Sequence, residues 1–244
     1  MHERLVIIPT YNEIENIEKV VKNVFAQDVG FDILVVDDSS PDGTADQVKQ
    51  LQLKYKTRLH LIIRQEKSGL GRAYITGFKW ALQKDYIYIF EMDADYSHNP
   101  NDLTRLYNAC YKNGADLSIG SRYFKGVNVV NWPMNRVLLS WLASKYVQFI
   151  TQIPICDTTA GFVCYHRKVL EAINFDKIKF VGYAFQIEMK FKAYTLGFKL
   201  KEIPIVFTDR TKGESKMDKR IIWEAVIGVI KLKMKALFFK KRFN

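Results

Sequence analysis

Apolar and polar positions alternate along the first half of the chain in two periods. Arg4-Leu5-Val6-Ile7-Ile8-Pro9 is a short apolar run and predicts a buried first strand. Ile14, Ile17, Val20, Val21 and Val24 then recur at helical spacing, with Asn12 the expected N-cap. Ile33-Leu34-Val35-Val36 predicts a second strand, and the loop from Asp37 to Thr44 opens a helix capped by Asp42 or Thr44. Leu59–Ile63 predicts a third strand. Gly69-Leu70-Gly71 leads into a helix carrying Ala73, Ile75, Phe78, Ala81 and Leu82, the glycines marking a close backbone approach. Asp85–Ile89 reads as the strand entering Phe90-Glu91-Met92-Asp93-Ala94-Asp95, Leu103–Tyr111 as a helix and Asp116–Gly120 as a fifth strand. Strand and helix alternating at this rhythm predict right-handed crossovers and an α/β fold with a mostly parallel central sheet.

Beyond Arg122 the rhythm changes. An apolar helix is expected over Val137–Ile150, a turn over Asp157–Phe162, a strand at Val163–Tyr165 and a helix over Tyr183–Leu196, stopped by Gly197. Lys199–Phe207 alternates, with Pro204 marking an edge or bend, and Asp209–Lys216 is a polar, Gly-containing loop suited to closing over a ligand. The last segment, Ile221–Phe239, predicts a C-terminal amphipathic helix with Glu224, Gly228, Lys231 and Lys235 as its polar stripe. This organisation divides the chain into a body over 1–218 and a basic appendage over 219–244.

Composition sharpens the picture at three points. Apolar runs are interrupted by charges, so no membrane span is expected; a strand begins within a few residues of the N-terminus, so no signal peptide is expected; and three cysteines without metal-ligand spacing read as reduced and cytoplasmic. The formal charge of +11 asks for an acidic partner. Much of the excess sits after Lys219, where Arg220, Lys231, Lys233, Lys235, Lys240, Lys241 and Arg242 accompany it against Glu224 alone. Basic residues mixed with aliphatics there favour an anionic membrane surface over packing on the body, and acids at the strand ends disfavour nucleic acid.

In open parallel sheets ligands sit beyond the carboxyl ends of the strands, where Glu13, Asp38, Asp93, Asp95 and Arg122 all fall. Asp93 and Asp95, one residue apart in an extended chain, would point their carboxylates the same way. Such a pair suits a divalent cation that keeps some waters and holds phosphates, although an acid-rich turn has the same pattern. None of the four histidines stands out as a base: His2 is terminal, His60 lies mid-strand, and His98 and His166 lie in turns.

The motifs Pro9-Thr10-Tyr11-Asn12-Glu13, Val36-Asp37-Asp38 with Gly43-Thr44, Gly69-x-Gly71, Asp93-Ala94-Asp95 and Gly120-Ser121-Arg122-Tyr123 together resemble glycosyltransferase family 2. Trp132-Pro133 with Arg136, and Asp209-Arg210 with Gly213-Glu214-Ser215-Lys216, resemble its polyprenol-phosphate (dolichol-phosphate) mannose synthase branch. The resemblance implies a GT-A-type nucleotide-sugar-binding fold and inverting transfer of mannose from GDP-mannose to a polyprenyl phosphate. It places Pro9, Tyr11, Glu13, Val36 and Asp38 at the guanosine, and Asp93 and Asp95 at Mg²⁺ or Mn²⁺ with Ala94 lining the donor site. Arg122, Arg210 and Lys216 would meet phosphates, and Arg136 with Ser140 would receive the lipid phosphate. Ser97 stands where some members carry a Gln metal ligand, and Ala160 where Gly or Ser is usual. UDP-glucose as donor, and a basic nucleic-acid-binding protein, are the competing expectations. Location at the inner face of the membrane, as a peripheral cytoplasmic enzyme, completes the picture.

Overall fold

The computed structural model describes residues 3–182, 184–209 and 219–240. Tyr183, Arg210 and Lys216, all part of the expectations above, lie outside the described residues, as do residues 211–215.

The chain alternates as expected through β1 (Arg4–Thr10), α1 (Ile14–Phe25), β2 (Asp32–Asp37), α2 (Thr44–Tyr55), β3 (Leu59–Ile63), α3 (Leu70–Leu82), β4 (Tyr88–Glu91), α4 (Asp102–Tyr111) and β5 (Leu117–Ser121). Then follow β6 (Val129–Val130), α5 (Met134–Thr151), β7 (Val163–His166), α6 (Arg167–Ala172), α7 (Ala184–Thr195), β8 (Leu200–Pro204), β9 (Phe207–Thr208) and α8 (Lys219–Lys240). The seven-stranded sheet runs β3-β2-β1-β4-β7-β5-β8, and β6 pairs with β9 beside it. All pairings are parallel except those of β7, which is antiparallel to both β4 and β5. Pro204 ends the edge strand β8, where a missing N–H costs no ladder bond.

Every residue of β2 is buried, which is why its sequence is a continuous apolar run rather than an alternation. Side chains of β1 split by parity. Leu5 and Ile7 join α3, α6 and α7 in one core, while Val6 and Ile8 join α1, α2 and α4 in the other. A Cβ on Gly77 of α3 would lie 2.7 Å from Ile7 Cγ2, so the glycine sets how closely α3 lies on β1. With Cβ this close, the overpacking cost of Gly77→Ala falls in the upper part of the usual range of about 1–3 kcal/mol, and after roughly 1 kcal/mol of helix propensity is regained the expected net destabilisation is roughly 1–2 kcal/mol. Urea unfolding measures this, and an unchanged midpoint would contradict the close packing.

Two local expectations are corrected. Asn12 does not cap α1. It takes a positive φ of 61°, and the helix start is capped from across the sheet by the loop after β2. There Ser40 Oγ, Thr44 Oγ1 and Asp42 Oδ2 accept from the N–H groups of Asn12, Glu13 and Ile14 at 3.0, 3.0 and 3.1 Å. Gly228 is not part of a polar stripe. It is buried, and a Cβ there would fall 2.2 Å from Phe180 Cζ. The described part of α8 packs on the body, with Val229 buried beside Val147 and Ile187, and Tyr146 Oη donating to Val226 O at 2.9 Å. Its outer surface mixes Ile227, Ile230 and Met234 with Lys231 and Lys235 instead of separating polar from apolar. Glu188 of α7 is 1% exposed, because it turns inward to accept the N–H groups of Lys179 and Phe180. No described helix is long and apolar enough to cross a membrane.

Candidate active site

The carboxyl ends of β1, β2, β4 and β5 meet at one edge of the sheet, and the loops that follow them build the site. Asp37, the last residue of β2, is buried and accepts from Thr10 Oγ1 at 2.7 Å and from Ser40 N and Oγ at 2.8 and 2.6 Å. That bonding locks the first two loops together. Asp38 is 7% exposed and lies 3.0 Å from Arg64 Nη1; burial pushes its carboxyl up, and Arg64 partly offsets this. Glu13 accepts from Asn16 Nδ2, and Tyr11 carries Lys67 Nζ 3.6 Å above its ring. Pro9 is half-buried beside them. Val36 is fully buried in the core between sheet and α3, so its side chain is closed off from a nucleoside.

The acid pair follows β4, but in a bent rather than an extended segment, with Tyr96 at a φ of 63°. Asp93 and Asp95 are both partly exposed, whereas Ala94 between them is buried at 3%. Tyr74 Oη donates to Asp93 Oδ1 at 3.3 Å, and Asp95 Oδ1 accepts from Ser97 N at 3.1 Å. His98 has a structural place in this turn. It is 3% exposed, stacks on Phe162, and accepts the Asp93 N–H at Nδ1. Burial pushes its pKa down to about 4, consistent with the neutral ring that this bond requires.

Across from Asp93 stands the turn over Asp157–Gly161. A Cβ at Gly161 would lie 4.0 Å from Asp93 Oδ2, which puts the turn in contact with the acid pair. Four buried charges hold it. Glu202 accepts from Cys156 N and Asp157 N at 2.7 and 2.9 Å. Asp157 takes Arg122 in a fork, Nε at 2.7 Å and Nη2 at 2.6 Å, and also accepts its backbone N–H. Lys190, fully buried on α7, donates to Ala160 O at 2.5 Å and Thr158 O at 3.3 Å. Burial pushes the Lys190 ammonium down to about 8, offset by Glu91 and Asp157. Burial likewise pushes Glu91 up to about 8, against the pull of Lys190 and a 2.7 Å bond from Gln186 Nε2.

Glu91, Lys190 and Glu202 are site residues that the sequence pattern does not single out. The available signal is thin: Gln186, Glu188 and Lys190 interrupt an otherwise apolar helix every second residue, and no solvated face has that spacing. Arg122, expected at a phosphate, is 8% exposed with its fork taken by Asp157 and Thr159, so it builds the wall of the site. Arg136 lies at the start of α5, 4.1 Å over the ring of Trp132, with Nη1 3.0 Å from both carboxylate oxygens of Asp209. Ser140 is one turn further along the same helix, half-buried.

Among the described residues no three His, Cys, Asp or Glu side chains gather into a metal cluster. The site therefore offers two partly exposed hard-oxygen donors, which fits a cation completing its shell with water and phosphate oxygens. An acid pair at the end of a central parallel strand, beside interlocked loops at the neighbouring strand ends, defines the class: a GT-A-type nucleotide-sugar transferase.

Residues 5–173 match the family described as Glycosyl transferase family 2, and the chain belongs to that family. It is 47% identical over 92% of its length, and 84% of the relative's, to a polyprenol monophosphomannose synthase of Mycolicibacterium smegmatis. It is 44% identical over 92% of its length, and 91% of the relative's, to an undecaprenyl-phosphate mannosyltransferase of Micrococcus luteus. Among solved structures it resembles a Pyrobaculum calidifontis mannosyltransferase in complex with GDP-Man and Mn²⁺. That match has a TM-score of 0.60 at 18% identity and covers 99% of this chain and 76% of the other, a likeness of fold.

Proposed function

We propose that this chain transfers mannose from GDP-mannose to a polyprenyl phosphate, with inversion at the sugar carbon, assisted by Mg²⁺ or Mn²⁺ at Asp93 and Asp95. The observation that carries it is the partly exposed acid pair at the end of β4, with Arg136 beyond the neighbouring strand ends. A divalent cation held there would neutralise the negative charge that grows on the leaving diphosphate.

Pro9, Tyr11, Glu13 and Asp38 cradle the guanosine, with Val36 contributing backbone. The acceptor phosphate has its second pKa near about 6, so above neutrality it attacks as a dianion and needs no general base. This agrees with His98, whose Nδ1 is already occupied by a backbone N–H. Arg136 and Ser140 meet the lipid phosphate, and Arg210 and Lys216, outside the described residues, complete the phosphate contacts. Arg122 holds the Asp157 turn in place of the phosphate contact expected of it.

A lipid-borne acceptor asks for contact with a membrane. Met134, Leu138, Leu142 and Phe149 recur along one side of α5 and are 70, 51, 55 and 76% exposed, an apolar strip that supports peripheral binding. The basic segment after 218 faces anionic lipid in this reading, at the inner leaflet.

Radiolabelled GDP-mannose incubated with polyprenyl phosphate and Mg²⁺ or Mn²⁺ is expected to give butanol-soluble product, and no product with either metal would overturn the proposal. The donor is read separately. GDP with Mn²⁺ is expected to raise the melting temperature more than UDP with Mn²⁺. The reverse order would favour a UDP-sugar.

A further inference from the structure

A cleft of about 1850 Å³ opens between α7, α8 and the segment leading from α6 into α7. It shares no residue with the acid pair, the Asp157 turn or Arg136. Lys177, Lys179, Lys231 and Lys235 line it, and none of them forms an ion pair among the described residues. The acids that also line it are already engaged. Asp176 pairs with Lys79 outside the cleft, and Glu188 lies 3.5 Å from Lys192 while accepting two backbone N–H groups. Lys179 and Lys235 both line the cleft, where the like charge of Lys179 pulls the Lys235 pKa down and Glu188 partly offsets it. Lys177, Lys179, Lys231 and Lys235 bring four positive charges to a cleft whose two acids are engaged with other partners, which leaves it with unbalanced positive charge.

The walls between these lysines are apolar. Phe180 and Phe191 form the inner side, while Leu196, Ile227 and Met234 at the rim are 52, 49 and 51% exposed. A small soluble anion would use the cations and leave those rim side chains in water. An anionic amphiphile uses both, its phosphate on the lysines and its chains along the apolar wall.

We propose that this cleft binds the headgroup and upper chains of an anionic phospholipid, with the phosphate between Lys179 and Lys235. It deepens the membrane-contact reading above, but it does not depend on the transfer reaction. The site is separate from the α5 strip: α5 supplies apolar area, and the cleft supplies selectivity for negative lipid.

Sedimentation with vesicles tests it, comparing phosphatidylcholine alone with phosphatidylcholine mixed with phosphatidylglycerol. The double variant Lys179→Gln/Lys235→Gln is expected to bind the mixed vesicles roughly 25-fold more weakly and to bind pure phosphatidylcholine as the parent does. A control with the same charge change, Lys54→Gln/Lys112→Gln, is expected to keep most of the selectivity. Equal loss in both variants would mean diffuse surface charge and would overturn the site. Unchanged binding of the cleft variant would overturn it directly, and inorganic phosphate stabilising the parent as much as the mixed vesicles do would reassign it to a soluble anion. Melting temperatures of both variants identify any loss of folding, and Lys179→Arg/Lys235→Arg is expected to restore binding. Turnover on a detergent-dispersed acceptor should be unaffected by the cleft variant. Absence of turnover in the parent would count against the transferase reading and leave the vesicle result standing.

Discussion

Asp95→Asn is expected to lower mannosyl transfer by roughly 10²–10³-fold, the loss typical when one preorganised charge stabiliser is removed. The substitution keeps an oxygen for the Ser97 N–H and the shape of the side chain, and removes only the negative charge. Because Asp95 is partly exposed, folding stability should change by no more than about 0.5 kcal/mol. Two readings separate the charge effect from misfolding. The melting temperature of the free variant should match the parent's, and the additional stabilisation by GDP with Mn²⁺ should disappear. Full turnover in Asp95→Asn, or undiminished metal-dependent GDP binding, would remove the acid pair from the proposed chemistry.

The largest stability effect is expected away from the acid pair. Asp157→Asn leaves the Arg122 guanidinium 8% exposed and without its counter-charge, and removing one partner of a buried pair costs roughly 3–5 kcal/mol. The deficit should depend on pH in a definite direction. Burial by itself pushes Asp157 up, but the Arg122 charge and hydrogen bonds outweigh it and hold the carboxyl below its ordinary value. A carboxyl whose pKa is lower folded than unfolded stabilises the protein fully above the unfolded value, and that contribution fades as pH falls through the folded value. Urea midpoints of parent and variant should therefore differ most near neutrality and converge in acid. A gap that widened on acidification would contradict the pairing. Transfer should fall as well, because the turn that Asp157 fixes lies against Asp93.

The parallel half of the sheet was legible because β2 and its neighbours are buried on both faces and therefore write themselves as unbroken apolar runs. The acid pair was legible for a different reason: charges directly after such a run have only the strand end to occupy. What was hidden depends on partners distant in the chain. Arg122 reads as a phosphate ligand until Asp157, 35 positions later, is seen to occupy its fork. Lys190 reads as one more surface lysine, although it is fully enclosed by carbonyls of the Asp157 turn and its own helix. Asn12 has the composition of a cap, but the bonds it would have made are supplied by Asp42 and Thr44 from the next crossover. In each case the residue type was informative and its counterpart was not, because pairing is set by which strands end together.

The reversed direction of β7 decides what reaches the catalytic edge. Val163 sits opposite Glu91, so this strand begins where its neighbours finish. The segment entering β7 is thereby delivered to the same rim as the segments leaving β1, β2, β4 and β5. Had the strand run the other way, the loop before it would have opened on the far rim, some four residues of sheet away from the aspartates. A single inverted strand lets an extra wall be added to a nucleotide-sugar pocket without lengthening any existing loop.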